Sequence, residues 1–163
     1  MKITLSRIAK AAIYLLGLAL LTILVVLLPE LAREEAVGKV NPPPAYPYLI
    51  GAWILVSPIF VALYQAHRLV SAVSRHQAFS LQSIKALQII KRSTLVFNIL
   101  LILGVTAVIF FAKQVNPSED VTPLITLGGL ALFAASIIAI FLAVLEKLLK
   151  EAIELQKDQE LTI

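Results

Sequence analysis

Four long stretches without a charged side chain decide what this chain can fold into. They cover residues 11–29, 41–67, 93–112 and 121–145, and none of them contains Asp, Glu, Lys or Arg. A bilayer core about 30 Å thick needs about 20 apolar residues in a helix that rises 1.5 Å per residue. Because lipid cannot satisfy backbone polar groups, each stretch predicts one membrane-spanning helix.

The overall composition supports the same class of protein. The chain has 163 residues, of which 60% are hydrophobic, and its mean hydropathy is +0.92. A soluble four-helix bundle would need a polar face on every helix, and these stretches offer none. We therefore predict an all-α, integral membrane four-helix transmembrane bundle in one domain over residues 1–163. The spans are expected at about 8–29, 48–70, 92–112 and 122–146.

The first span resembles a signal peptide, because Lys2, Arg7 and Lys10 precede it. Its apolar run is longer than the usual signal core, and no small-residue cleavage site follows it. We expect a retained signal anchor. The sequence has no cysteine, which excludes disulfides and thiolate metal sites.

The distribution of lysine and arginine predicts the orientation, since these residues collect in cytoplasmic loops. With the N-terminus inside, only Arg33, Lys39 and Lys113 of the 14 basic residues fall outside the cell. The other eleven are Lys2, Arg7, Lys10, Arg68, Arg75, Lys85, Lys91, Arg92, Lys147, Lys150 and Lys157. Both termini are therefore predicted to be cytoplasmic. The net charge of +4 then reflects topology and an anionic inner leaflet, with no nucleic acid needed.

Helices 2, 3 and 4 are predicted to extend into the cytoplasm. Residues 68–92 form a helical hairpin tip that turns at the sequence RHQAF, and residues 147–160 form a helical tail. Ser80 is the predicted N-cap of helix 3, with Phe79 packed on Ile84 as a hydrophobic staple. At the outer end, three consecutive prolines at 42–44 make a stiff spacer, and Thr122 before Pro123 is the predicted N-cap of helix 4.

The tail has an apolar seam between charged faces. Leu145, Leu148, Ala152 and Leu155 follow a 3-4-3 spacing, and Glu146 precedes Lys150 by four residues, the favourable order for an ion pair. The seam is expected to dock on the 80–92 helix, where the acids of the tail would meet its basic residues. Pairing with another protein is the alternative.

Inside the spans, the polar residues are few and uncharged. An ion-coupled exchanger needs an ionisable group there, so the sequence argues against that class of transporter. Asn98 is the best candidate for a structural hydrogen bond between helices, and Pro58 predicts a kink in helix 2. Alanine recurs every fourth residue on helix 4 and predicts a face that packs within the bundle or on a second copy. These positions are Ala131, Ala135, Ala139 and Ala143.

The two histidines do not form a convincing reactive site. His67 and His76 are nine residues apart, which places them on opposite faces of a continuous helix, and no acid or cysteine is near either in sequence. We predict no catalytic residue, cofactor or metal site.

The central run SPIFVALYQAHRLVSAVSRHQAFSLQSIKALQIIKRS resembles the bacterial four-pass membrane family known as domain of unknown function 2975. The matching positions are Pro58, Phe60, Ala62, Leu63, Tyr64, Gln65, Phe79, Ser80, Leu87 and Ile90. The resemblance implies a bacterial inner-membrane protein without an assigned reaction, often encoded beside a small helix-turn-helix regulator. It supplies no catalytic residues.

Three functions follow as hypotheses. The leading one is a non-enzymatic regulatory protein that sits in the lipid bilayer and binds a cytosolic partner through its cytoplasmic helices. The residues expected at that surface are Arg68, Arg75, Lys85, Lys91, Arg92, Leu148 and Leu155. The alternative is a small transporter or channel, as a single chain or as a homo-oligomer, with Pro58 and Asn98 near its pathway. An integral membrane enzyme is the weakest, because no reactive constellation lies within a span.

Overall fold

The protein consists of four long helices. The computed structural model describes residues 2–30, 33, 45–74, 80–115, 117, 118 and 120–161. Its elements are α1 (Lys2–Thr22), a π-helical turn (Ile23–Leu27), α2 (Ala45–Ser74), α3 (Leu81–Val115) and α4 (Thr122–Leu161). By length and composition, four of the described segments can cross a membrane, which confirms the all-α class and the four spans. The predictions about the prolines at 42–44, Arg75, His76 and Phe79 lie outside the described residues.

The start of α3 follows the sequence prediction. The helix begins at Leu81, and the Ser80 hydroxyl accepts a hydrogen bond from the Ser83 amide at 3.3 Å. The Ser80 carbonyl also accepts the first helical bonds, from Ser83 and Ile84. Ser80 is therefore confirmed as the N-cap. From there α3 continues without a break through Val115, as expected for a helix that runs from the 80–92 segment directly into the third span.

The start of α4 differs by one residue from the prediction. Thr122 is already helical, and the first helical bond runs from the Ile125 amide to the Val121 carbonyl at 3.1 Å. The capping side chain is Asp120, whose Oδ1 accepts from the Thr122 amide at 3.0 Å. The prediction that Thr122 is the N-cap was therefore wrong. The carboxylate of Asp120, two residues earlier, accepts from the free amide of Thr122 and caps the helix instead.

The proline in α2 does not interrupt the helix. α2 runs from Ala45 to Ser74 through Pro58, which is buried. Proline lacks an amide hydrogen, so it leaves the carbonyl of Ile54, four residues earlier, without its usual donor. The Ser57 hydroxyl donates to that carbonyl at 2.8 Å. This bond satisfies the backbone at membrane depth, where water is absent. The kink itself stays a prediction.

The helices are arranged in chain order as an open row. α1 contacts α2, α2 contacts α3, and α3 contacts α4, while among the described residues α1 and α4 do not contact each other. A closed four-helix bundle would place α1 and α4 side by side, and the described residues do not form that contact. Lipid explains the difference, because an apolar face in a bilayer does not need a neighbouring helix to cover it.

Most apolar side chains accordingly point away from the protein. Large hydrophobic residues such as Leu15, Phe110, Leu127 and Phe141 are each more than half exposed. In water such a surface would drive aggregation, whereas in a bilayer it is the lipid-facing surface.

Two helices are much longer than a bilayer core. α3 has 35 residues and α4 has 40, which correspond to about 52 Å and about 60 Å against a core of about 30 Å. Both extend at the end where α2 ends and α3 begins. We call this end, which includes Arg68, Lys85 and Lys91, the basic end.

Candidate functional site

A buried carboxylate joins α3 to α4 at the basic end. Glu146 is only 6% exposed, although it is the first charged residue after a 25-residue apolar stretch. Its Oε1 accepts hydrogen bonds from Gln88 Nε2 and Lys150 Nζ, each at 2.8 Å, and its Oε2 accepts from Lys91 Nζ. We call these four residues the Glu146 cluster.

Both oxygens of the Glu146 carboxylate accept hydrogen bonds from the other three residues of the cluster. Two ammonium groups face one carboxylate, and the amide of Gln88 supplies a further donor, so both carboxylate oxygens are occupied. Hydrogen bonds between charged groups are stronger than neutral ones, and burial of the acceptor strengthens them further. The predicted pair of Glu146 with Lys150 is confirmed, and Lys91 is an additional partner from another helix. The arrangement is suited to fixing two helices, because donors from both α3 and α4 converge on one carboxylate.

Three contacts along the helix axes set the register of α3 on α4. Gln88, Asn98 and Val105 on α3 lie against Glu146, Ser136 and Gly128 on α4 respectively. The order is reversed, so the two helices are antiparallel and stay in contact over about 17 residues, from 88 to 105 on α3. Asn98 Nδ2 donates to Ser136 Oγ at 3.3 Å, which is the interhelical bond expected for this amide.

The face of α4 that packs on α3 includes part of the alanine stripe. Ala135 and Ala139 are buried, Ala131 is half-buried, and Ala143 is exposed. Since α3 is the helix that α4 contacts, this face packs within the chain over most of its length. Glu146 lies seven residues after Ala139, about two turns further on the same face. This spacing is the sequence signal that identifies Glu146 as an inward residue.

The tail packs with a different face from the predicted seam. Leu149 and Ile153 are half-buried, as is Ala152 of the seam, whereas Leu148 is 56% and Leu155 is 66% exposed. The expected docking on the 80–92 helix is therefore wrong for Leu148 and Leu155, because the packed face is rotated by about 100°, or one position, from them. The reason is Glu146, because its bonds to α3 fix the rotation of α4 and turn Leu148 and Leu155 outward.

The predicted basic surface divides into two parts. Lys91 is engaged with Glu146, while Arg68, Lys85 and Arg92 have exposed side chains and form no ion pair among the described residues. Arg68 and Lys85 line a groove of about 490 Å³ between the end of α2 and the start of α3. Sequence reasoning did not anticipate this groove, because it depends on how two helices diverge at their ends.

His67 belongs to the contact between α1 and α2. Its Nε2 lies 3.1 Å from the Tyr14 hydroxyl, and the ring centroids are 5.4 Å apart. Nearby, Gly17 on α1 faces the side chain of Leu63 on α2. Within the described residues, no group of three histidine, aspartate or glutamate side chains comes together that could hold a metal ion.

The fold and these contacts define an integral membrane protein that crosses the bilayer with four helices. The family model described as "Protein of unknown function (DUF2975)" matches residues 31–163, and the chain belongs to this family. The resemblance seen in the central run is thereby confirmed.

One sequence relative supports the membrane class. The chain is 34% identical over 157 residues to the "Uncharacterized membrane protein YoaS" of Bacillus subtilis (strain 168), and the alignment covers 94% of each chain. No solved structure matches the chain.

Proposed function

We propose that this protein is a non-enzymatic membrane interaction protein that binds a cytosolic protein through its basic end. The proposal places both termini and the basic end in the cytoplasm of a bacterial cell, at the inner membrane. The uneven distribution of basic residues, eleven against three, supports this orientation. A small helix-turn-helix regulator is the partner that the family resemblance favours.

The supporting observation is the outward stripe on the tail of α4. Leu148 and Leu155 are seven residues apart, about two helical turns, and both are more than half exposed beyond the uncharged stretch that ends at residue 145. Apolar side chains at that spacing on a projecting helix are typical of a surface that a partner helix covers. The opposite face includes Glu146, which is bonded to Gln88 and Lys91 of α3, so the stripe is held in a fixed direction.

The ionic contacts narrow the surface that we propose. We remove Lys91 from the residues predicted to bind the partner, because its ammonium group is bound to Glu146. Arg92 and Lys85 keep exposed charges, and Leu148 and Leu155 supply the apolar contact. A partner would therefore combine an apolar helix face with acidic side chains at its rim.

Site-specific photocrosslinking in the native membrane tests the proposal. A photoreactive amino acid at position 148 or 155 is expected to crosslink to one protein of the soluble fraction, identified by mass spectrometry. The matched control is position 127 on the same helix, which is 69% exposed within an uncharged stretch and is expected to crosslink to lipid only. No protein adduct at either position, or adducts only with a second copy of this chain, would overturn the proposal.

The orientation has its own test. Because the sequence contains no cysteine, single substitutions give labelling without background. A maleimide that cannot cross membranes is expected to label Lys113→Cys in spheroplasts with an intact inner membrane and Leu155→Cys only after lysis. The reverse pattern would refute the cytoplasmic placement.

A further inference from the structure

The groove between α2 and α3 at the basic end has features of a ligand site that the contacts described so far do not use. It has a volume of about 490 Å³ and is lined on one side by Gln65 and Arg68 of α2, and on the other by Lys85 and Ile89 of α3. No acidic residue is among the described side chains that line it. The cluster at Glu146 is separate, since none of its four residues lines the groove.

Gln65 provides the most informative observation. The residue is only 8% exposed, and its Oε1 is buried without a hydrogen-bond partner in the described part of the protein. A buried acceptor without a donor is energetically unfavourable. Because Gln65 lines the groove and the last side-chain torsion of glutamine is broad, a small rotation presents this oxygen to a donor from the groove.

The charges of the groove specify an anion. Arg68 and Lys85 both line it, both have exposed side chains, and neither forms an ion pair among the described residues. Two cations without a facing acid favour a phosphate group, which both side chains bind readily. The ligand must therefore combine an anionic phosphate with a hydrogen-bond donor for Gln65.

The position of the groove specifies where such a ligand comes from. The uncharged stretch of α2 ends at residue 67, so Arg68 marks the boundary of the bilayer on this helix, and the groove extends from this boundary toward the apolar side at Tyr64. Tyr64 is 63% exposed, so an acyl chain can lie along it. Basic pockets between transmembrane helices at this level are suited to lipid head groups.

We propose that this groove binds one anionic phospholipid whose head group has a free hydroxyl, with phosphatidylglycerol as the representative. The phosphate diester lies between Arg68 and Lys85, a head-group hydroxyl donates to Gln65 Oε1, and an acyl chain follows Tyr64. This inference does not depend on a cytosolic partner, because the outward stripe of α4 is not part of the groove and Lys85 is the one residue that both proposals use.

Native mass spectrometry of the full-length protein in detergent tests the site. The expected result is retention of one phosphatidylglycerol at least tenfold more strongly than phosphatidylcholine with the same acyl chains. Phosphatidylmethanol, an anionic lipid without a head-group hydroxyl, should bind several-fold more weakly than phosphatidylglycerol. Equal retention of phosphatidylglycerol and phosphatidylcholine by the wild-type protein would overturn the proposal, with no variant needed. Free glycerol phosphate is expected not to compete at concentrations equal to the lipid, and full competition would assign the site to a soluble phosphate ester and overturn the lipid.

Matched variants separate the groove from general charge. Arg68→Gln with Lys85→Gln should lose the bound phosphatidylglycerol, whereas Lys147→Gln with Lys157→Gln removes the same charge from α4 and should retain it. Gln65→Leu should abolish the preference for phosphatidylglycerol over phosphatidylmethanol while leaving binding of an anionic lipid. Loss of the lipid in both double variants, or an unchanged preference in Gln65→Leu, would contradict the assigned contacts.

Discussion

The two outer helices of the row are attached in different ways. α4 is joined to α3 by the Glu146 cluster, by the bond from Asn98 to Ser136, and by the close approach of Gly128 to Val105. Among the described residues, α1 is joined to α2 by apolar packing and by one exposed side-chain hydrogen bond between Tyr14 and His67. The α3–α4 pair is fixed by contacts at three positions along its length. The described α1–α2 pair is fixed by one polar contact, which lies near the end of α2.

This difference shows how a helix pair acquires a defined geometry in lipid. Apolar contacts alone specify little there, because lipid tails compete with side chains for the same surface. Position and rotation are fixed where a backbone approaches closely or where a polar group must find its partner. By this reasoning α3 and α4 form the rigid part of the molecule, and α1 is the helix that separates most easily.

The largest effect is expected from removing the charge of Glu146. Glu146→Gln keeps the shape but leaves Lys91 and Lys150 without their counter-ion, so we expect a loss of about 2–3 kcal/mol in the free energy of unfolding. The value is below that of a fully buried pair because Lys91 is 31% exposed. Steric-trap unfolding in bicelles measures it. Glu151→Gln, at an exposed position of the same helix, is the control and should change stability by less than about 0.5 kcal/mol. Equal effects would show that the cluster does not hold α3 to α4.

Two adjacent glycines allow a second test of the same pair. A methyl group on Gly128 would lie 2.9 Å from Val105 Cγ2, whereas one on Gly129 meets nothing within 4 Å. Valine is stiff in a helix, so the contact must be relieved by moving the helices apart. We expect Gly128→Ala to destabilise by about 1–2 kcal/mol and Gly129→Ala to be neutral or stabilising. The same unfolding assay compares them, and a neutral Gly128→Ala would mean that the close approach does not restrict the pair.

The sequence predicts the helices of this fold well and their contacts less well. The four uncharged stretches identify the spans because the physics of solvation in lipid acts on each stretch separately. The Ser80 cap was equally predictable, since its hydrogen bond is local. The π-helical turn at Ile23–Leu27 was missed, because no residue type in ILVVL marks it.

The candidate site was only partly predictable. Lys85 and Arg68 were recognised as basic surface residues, but the groove they line depends on the packing of α2 against α3. Glu146 was interpreted as one half of an exposed i,i+4 pair, because its burial requires the register that Gly128 and Asn98 set many residues away. Its spacing from Ala139 was the available signal, and extending the alanine face by two turns would have revealed it.

The contact between α1 and α2 offers a smaller effect. Tyr14→Phe removes the hydroxyl that is bonded to His67, and we expect a loss of about 0.5 kcal/mol, as is usual for a side-chain hydrogen bond between membrane helices. Tyr48→Phe is the control, because Tyr48 is exposed at the other end of α2. A double-mutant cycle of Tyr14→Phe with His67→Phe isolates the coupling energy. A coupling above about 2 kcal/mol would place this pair on a level with the Glu146 cluster and remove the contrast between the two attachments.

The smallest effect is expected where α4 begins, at the end opposite to the Glu146 cluster. The side chain and the backbone amide of Thr122 both donate to Asp120, and these bonds lower the pKa of Asp120 below its ordinary value of 3.8. The folded pKa is thus below the unfolded one, so the contribution of the cap is complete above about pH 4 and is lost as the pH falls through the folded pKa. Carbon-detected NMR titration of Asp120 should show a lowered pKa that rises toward 3.8 in Thr122→Val, where the backbone donor remains. Because Asp120 is fully exposed, Asp120→Ala should alter the unfolding of the α3–α4 pair less than any substitution above. A larger loss in the free energy of unfolding for Asp120→Ala than for Glu146→Gln would mean that the loop before α4, and not the Glu146 cluster, holds α3 and α4 together.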